Sequence, residues 1–138
     1  MKKSDLKRFV VCAHLSVSYN EEAKEEFLRL GKMVARALAK ELKLERGTYD
    51  VRVNRGGIAV SGEVTLHSDH FYVHLGQSCV MRDQFYWRLC RGRKDYTGLW
   101  NRHAKWTDLL DLPHFAANMS AALILDKEKE LKQPYGHY

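Results

Sequence analysis

Proline is almost missing: Pro113 and Pro134 are the only two in 138 residues, so before residue 113 only glycine punctuates the chain. Cysteine is scarce as well. Cys12, Cys79 and Cys90 are odd in number, widely spaced and never in a C-x-x-C pair, which argues against a disulfide framework or a thiolate zinc site. Each reads as a small buried hydrophobe. No run approaches the roughly 18 uninterrupted apolar residues of a membrane span. The N-terminal MKKSDLKRFVVCAHLSV starts charged like a signal peptide, but His14 and Ser16 break its apolar run and no clean cleavage site follows. A cytoplasmic protein with no membrane partner is expected. Asp50, Glu63, Asp69, Asp83 and Asp95 stand singly and form no recognisable acidic pair, whereas a metal-dependent nuclease needs several carboxylates together to hold its ions. A P-loop, G-x-G-x-x-G, G-x-S-x-G and the H-x-E with C-x-x-C combination are all missing. The reading therefore leans away from an enzyme, and no cofactor is expected. Repeats, low-complexity tracts and linkers are missing too, so the length prior gives a single domain over residues 1–138.

What the chain does have is positive charge in one place. The overall composition, 45% hydrophobic and 29% charged, is ordinary for a globular protein, with a formal net charge of +6. Residues 82–106 hold seven Lys or Arg (Arg82, Arg88, Arg91, Arg93, Lys94, Arg102, Lys105) against Asp83 and Asp95, a surplus of five out of that +6. All three tryptophans, Trp87, Trp100 and Trp106, lie there too, with Phe85, Tyr86 and Tyr96. Cationic groups beside flat rings suit a phosphate-bearing or otherwise acidic partner.

Elements follow from periodicity. Residues 8–17 are rich in β-branched side chains, with Phe9, Val11, Ala13, Leu15 and Val17 at period two, which predicts a strand. Ser18 and Glu21 form a capping-box pattern ahead of a helix over 19–44. Phe27, Leu30, Val34 and Leu38 make its apolar stripe, with acidic residues early and basic ones late. Gly47 is read as its stop. A strand meander over 48–91 follows, with a turn at Asn54, Arg55, Gly56 and Gly57, a strand from Ile58 to Leu66, and another turn at Ser68 and Asp69. Residues 91–106 read as a basic–aromatic loop, and a C-terminal helix over 113–131 begins at Pro113. The sum is an α+β fold: an antiparallel sheet of about four to five strands with two helices packed on one face.

Three chemistries compete for the site. Arg88, Arg91, Arg93, Lys94, Arg102 and Lys105 are candidates for anionic contacts, since arginine forks match phosphate oxygens with paired bonds. Thr97 offers a hydroxyl, His103 a further contact, and Tyr96, Trp100 and Trp106 are stacking or packing groups. The expected partner is nucleic acid or a nucleotide. Arg, Trp and Tyr are equally the residues of interface hot spots, so an inhibitor or adaptor gripping an acidic or nucleic-acid-handling host protein complex fits the same composition. The third chemistry is a small hydrolase acting on nucleic acid or nucleotides, through His103 or the histidines near the second turn. His67, Asp69 and His70 resemble metal-ligand spacing. If Ser68 and Asp69 form the turn, His67 faces His70, and Glu63, Thr65, His67, His70, Tyr72 and His74 share one sheet face. That set lacks a complete ligand shell, because His74 falls too far along the strand for the same ion. Oligomeric state stays open.

The stretch Cys90-Arg91-Gly92-Arg93-Lys94-Asp95-Tyr96-Thr97-Gly98, entered from a strand and followed by Asn101, resembles small uncharacterised proteins encoded by bacteriophages and related mobile elements. The similarity spans about residues 70–115. It implies a setting rather than an activity: phage nucleic-acid metabolism or interference with host defence, in the host cytoplasm.

Overall fold

The first segment departs from its alternating pattern. In the computed structural model, which describes residues 1–94 and 99–131, it is a helix, α1 (Lys3–His14), not a strand. Leu6, Phe9, Val10 and Ala13 recur at three- and four-residue spacing and are buried, whereas Val11 of the period-two series is 59% exposed. Tertiary packing decides the matter against β propensity. The Phe9 ring stacks on Phe27 at 5.4 Å and meets Trp106 edge-on at 5.6 Å. The helix end is closed from a distance by Gln77. Its Nε2 donates to the carbonyls of Cys12 (3.2 Å), Ala13 (3.1 Å) and Leu15 (2.6 Å), and its Oε1 accepts from the Val17 N–H (3.3 Å).

The second helix, α2 (Glu21–Glu41), carries the expected stripe: Phe27, Leu30, Val34 and Leu38 are fully buried. Its cap differs from the Ser18–Glu21 box. Asn20 is the N-cap and accepts from the Ala23 N–H at 3.1 Å, while Tyr19 before it takes a left-handed conformation (φ 61°). At the far end Lys43 (φ 58°) is the first left-handed residue after the helix, and Gly47 (φ 86°) is a second, four residues further on. Gly31 lets α2 lie close to the sheet, since a Cβ there would stand 3.1 Å from a Val64 methyl.

Among the described residues, five strands then form one antiparallel sheet in sequence order: β1 (Tyr49–Asn54), β2 (Glu63–Ser68), β3 (Phe71–Gly76), β4 (Gln84–Leu89) and β5 (Arg102–Lys105). A short 3₁₀ segment (Trp106–Leu110) leads into α3 (Leu112–Leu131). The fold is α+β, with three α-helices among the described residues where the pattern suggested two. Two strand boundaries also move. Residues 58–62 belong to the β1–β2 connection, where Gly62 (φ +73°) is held so near the Asn54 carbonyl that a Cβ would sit 2.8 Å from it. Residues 102–105, expected as loop, pair with β4.

Alternation sorts the strand residues onto two faces. One face is apolar and buried: Val64 and Leu66, then Phe71, Val73 and Leu75, then Phe85, Trp87 and Leu89. Trp106 is wholly buried against Phe9, Phe27 and Phe85, with its Nε1 donating to the Arg82 carbonyl at 3.0 Å. Phe115 of α3 packs on Phe85 (5.7 Å) and Trp87 (6.2 Å). The other face is polar. Among the described residues no helix is long and apolar enough to cross a membrane.

Candidate nucleic-acid interface

Register builds the polar face. One row across the sheet runs Arg52, Thr65, His74, Tyr86, His103, each the cross-strand partner of the next. The row beside it runs Asp50, His67, Tyr72, Arg88. Gln84 and Lys105 are paired one step beyond Tyr86, and Glu63 lies one step beyond Thr65. Cross-strand partners have Cβ atoms about 5 Å apart, so these side chains must touch.

They do so mainly through rings. His74 lies flat on Tyr86, with centroids 4.5 Å apart and planes 7° from parallel. Tyr86 meets His103 at 6.4 Å and Tyr72 at 6.5 Å, and Tyr72 and His67 stand perpendicular at 5.2 Å. The Arg88 guanidinium sits 4.2 Å above the Tyr72 ring. His74 also pairs with Glu63 through its Nε2. A depression of about 290 Å³ opens between β1 and β2, with Arg52, Asn54, Glu63, Thr65, His67 and Tyr72 on its walls. A second of about 260 Å³ adjoins it, with Asn54, Glu63 and His74 on its rim.

Burial sets the protonation of the more enclosed members. It pushes the Tyr72 and Tyr86 phenols up from their usual range, so both stay neutral hydrogen-bonding groups at neutral pH. It pulls the His67 imidazole down, against an opposing backbone bond to Gly92, so that ring is neutral as well. His103 and Lys105 are exposed, and the Arg52 side chain is exposed beside Asp50.

The basic segment of the sequence does not gather in one place. Arg88, His103 and Lys105 reach the polar face. Arg91 turns to α3, facing Asp126 (3.4 Å) and Glu130 (3.7 Å). Arg93 crosses to β1, bonding Asp50 (2.8 Å) and the Gly47 carbonyl (2.9 Å), and that bond holds the Asp50 carboxyl below its ordinary range. Arg102 pairs with Trp87 on the opposite side of β5, its guanidinium 5.4 Å from the Trp87 ring and 5.9 Å from that of Trp100. Trp106 is a core residue, so of its two expected roles it packs and does not stack on a ligand. Trp100 is 76% exposed, and Lys94 is exposed. Tyr96 and Thr97 lie outside the described residues.

The histidine reading needs the same correction. β2 ends at Ser68 and β3 starts at Phe71, which makes Asp69 and His70 the turn. His67 therefore faces Tyr72, and His70 lies in the exposed turn outside the paired row. Among the described residues no three His, Cys, Asp or Glu side chains stand together as a metal site. Glu63, Thr65, His67, Tyr72 and His74 do share a face, as alternation requires. Arg52, Tyr86 and Arg88 join them only once the register is known. Compared with known proteins, the chain matches no family model, no curated protein and no solved structure.

Proposed function

We propose that the polar face of the sheet binds single-stranded nucleic acid. The observation that carries this reading is the Tyr86 ring, lined by His74 and His103 and flanked along its strands by Arg88 and Lys105. Bases stack on aromatic planes whatever their sequence, while neighbouring cations take up the phosphates. Rings lying in a sheet face are reached by splayed, unpaired bases and not by the closed edges of a duplex. The basic character of the whole chain adds long-range attraction.

The test is a titration of labelled single-stranded DNA and RNA at several salt concentrations. Affinity falls with salt at a slope near the number of phosphates neutralised. Tyr86→Ala weakens binding roughly 5- to 150-fold, the worth of one stacked base. Arg88→Ala lowers the salt slope by about one, whereas Arg93→Ala leaves it unchanged because that guanidinium is engaged with Asp50 and Gly47. Affinity indifferent to salt, and equal in the Tyr86 variant, refutes the reading.

A second reading, docking on a host protein complex as an inhibitor or adaptor, draws on one observation: Trp100 is exposed with Arg102 beside it, the pairing of residue types that anchors interfaces. Protein that shifts no oligonucleotide in moderate salt, yet forms a defined complex lost in Trp100→Ala, favours it.

A further inference from the structure

We infer that Asn54 and Glu63 select guanine as the base that enters the depressions beside β1 and β2, by hydrogen bonds to its pairing edge; this deepens the binding reading above and rests on it. Asn54 and Glu63 are the two residues that line both depressions. They are cross-strand partners with Cβ atoms about 5 Å apart, and alternation puts both on the polar face beside Arg52 and Thr65. A donor and an acceptor thus stand side by side across the width of one base edge.

Each of the two is held by a neighbour. The Glu63 carboxylate takes a bond from His74 Nε2 through its Oε2. The His74 ring is in turn pressed flat on Tyr86. It leans over Gly76, the β3 partner of Glu63, where a Cβ would stand 2.7 Å from the ring's Cε1. Glu63 Oε1 has no hydrogen-bond partner among the described residues, and 37% of the side chain is exposed. Asn54 is fixed through the other end of its amide. Its Oδ1 accepts from the Gly56 N–H at 3.1 Å, which leaves Nδ2 as a donor without a partner among the described residues. The pair therefore presents acceptors alone on β2 and a donor alone on β1. Groups fixed beforehand lose little freedom when a ligand arrives.

Guanine is the base that answers this pattern. Its N1–H and N2–H are adjacent donors, which a carboxylate takes with two parallel charge-assisted bonds, and its O6 beside them accepts from an amide N–H. Adenine and cytosine have a single amino group next to a ring-nitrogen lone pair, so they give the carboxylate one bond at most. Thymine and uracil set a carbonyl on either side of one N–H, which brings an oxygen against the carboxylate. The surroundings suit a nucleotide as well. Arg52 lies two residues before Asn54 on the same face, about 7 Å along the strand. Its side chain is 69% exposed, and its guanidinium stands 3.8 Å from Asp50, beyond the reach of a charge-assisted bond (about 2.7–2.9 Å), so it can turn to a phosphate. Tyr86 lies two strands from Thr65 along the row, about 10 Å away, so a base on Tyr86 and a guanine in the depression can belong to one strand crossing the sheet.

The experiment titrates the full chain with labelled all-thymine DNA strands and with the same strands carrying one internal guanine, inosine, adenine or cytosine. One guanine is expected to tighten binding roughly 5- to 150-fold over thymine, adenine or cytosine, the worth of one good paired contact. Inosine, which lacks the 2-amino group, loses most of that gain. Glu63→Gln removes the preference. Asn54→Asp removes it too, since it keeps an acceptor for the Gly56 N–H but sets a carboxylate against O6. The quantity read is the ratio of affinities for the guanine and all-thymine strands in each protein, which a general change of charge does not move. The base substitutions need no variant, so a protein that fails to fold cannot mask the result. Strands bound equally whatever the base, or a guanine preference unchanged in Glu63→Gln, overturn the inference and leave the binding reading standing. GMP that displaces the strand at the strand's own concentration makes a free nucleotide the ligand and overturns it as well. Failure to bind any strand removes both readings.

Discussion

Gln77 and His67 show how much single side chains carry here. Gln77, in the β3–β4 connection, bonds three carbonyls at the end of α1 and one N–H beyond it, and so ties the first helix to the sheet. His67 is buried at the inner end of the ring row, in edge contact with Tyr72. Burial, its largest cause, holds its pKa below the ordinary value of about 6.5. Just below that pH the unfolded chain therefore binds more protons than the folded one, and stability rises with pH there. The contribution is complete above about pH 6.5 and declines as pH falls from there toward the folded pKa. Thermal melts between pH 5 and 8 should show this loss on acidification in the wild type and a smaller one in His67→Gln. Equal slopes in both proteins would falsify the assignment.

Elements were legible where their own periodicity agreed with their packing. The stripe Phe27, Leu30, Val34 and Leu38 announces α2, and Phe71, Val73 and Leu75 announce β3, because each repeats at the spacing of the face it buries. α1 was not legible, since Phe9, Ala13 and Val17 satisfy a two-residue and a four-residue period alike. Only Phe27 and Trp106, remote in sequence, select the helix. The two readings diverge at Val11, buried in a strand and exposed in this helix. Val11→Lys should change unfolding free energy by no more than about 0.5 kcal/mol. Phe9→Ala should cost about 3–5 kcal/mol in a urea titration. β5 escaped notice because Arg102, His103, Ala104 and Lys105 have no apolar alternation, and their strand exists only as a neighbour of β4. The site was half legible for a similar reason. Alternation groups Glu63, Thr65, His67, Tyr72 and His74, but Tyr86, Arg88 and His103 join only through pairing. The arginines that drew attention, Arg91 and Arg93, meet carboxylates more than thirty residues away, which no local pattern reveals.

At the scale of the whole molecule, the three tryptophans divide by environment. Trp106 is fully buried and Trp87 nearly so at 7%, whereas Trp100 is 76% exposed and lies by Arg102, whose strand partner Trp87 points to the apolar side of the sheet. The molecule therefore has a built-in optical gauge. Iodide should quench only the red-edge emission of Trp100, leaving the blue-shifted pair dark to the quencher. An oligonucleotide seated on the polar face leaves that quenching as it was, while a protein docked on Trp100 abolishes it. One cuvette measurement thus tells which side of the sheet is occupied.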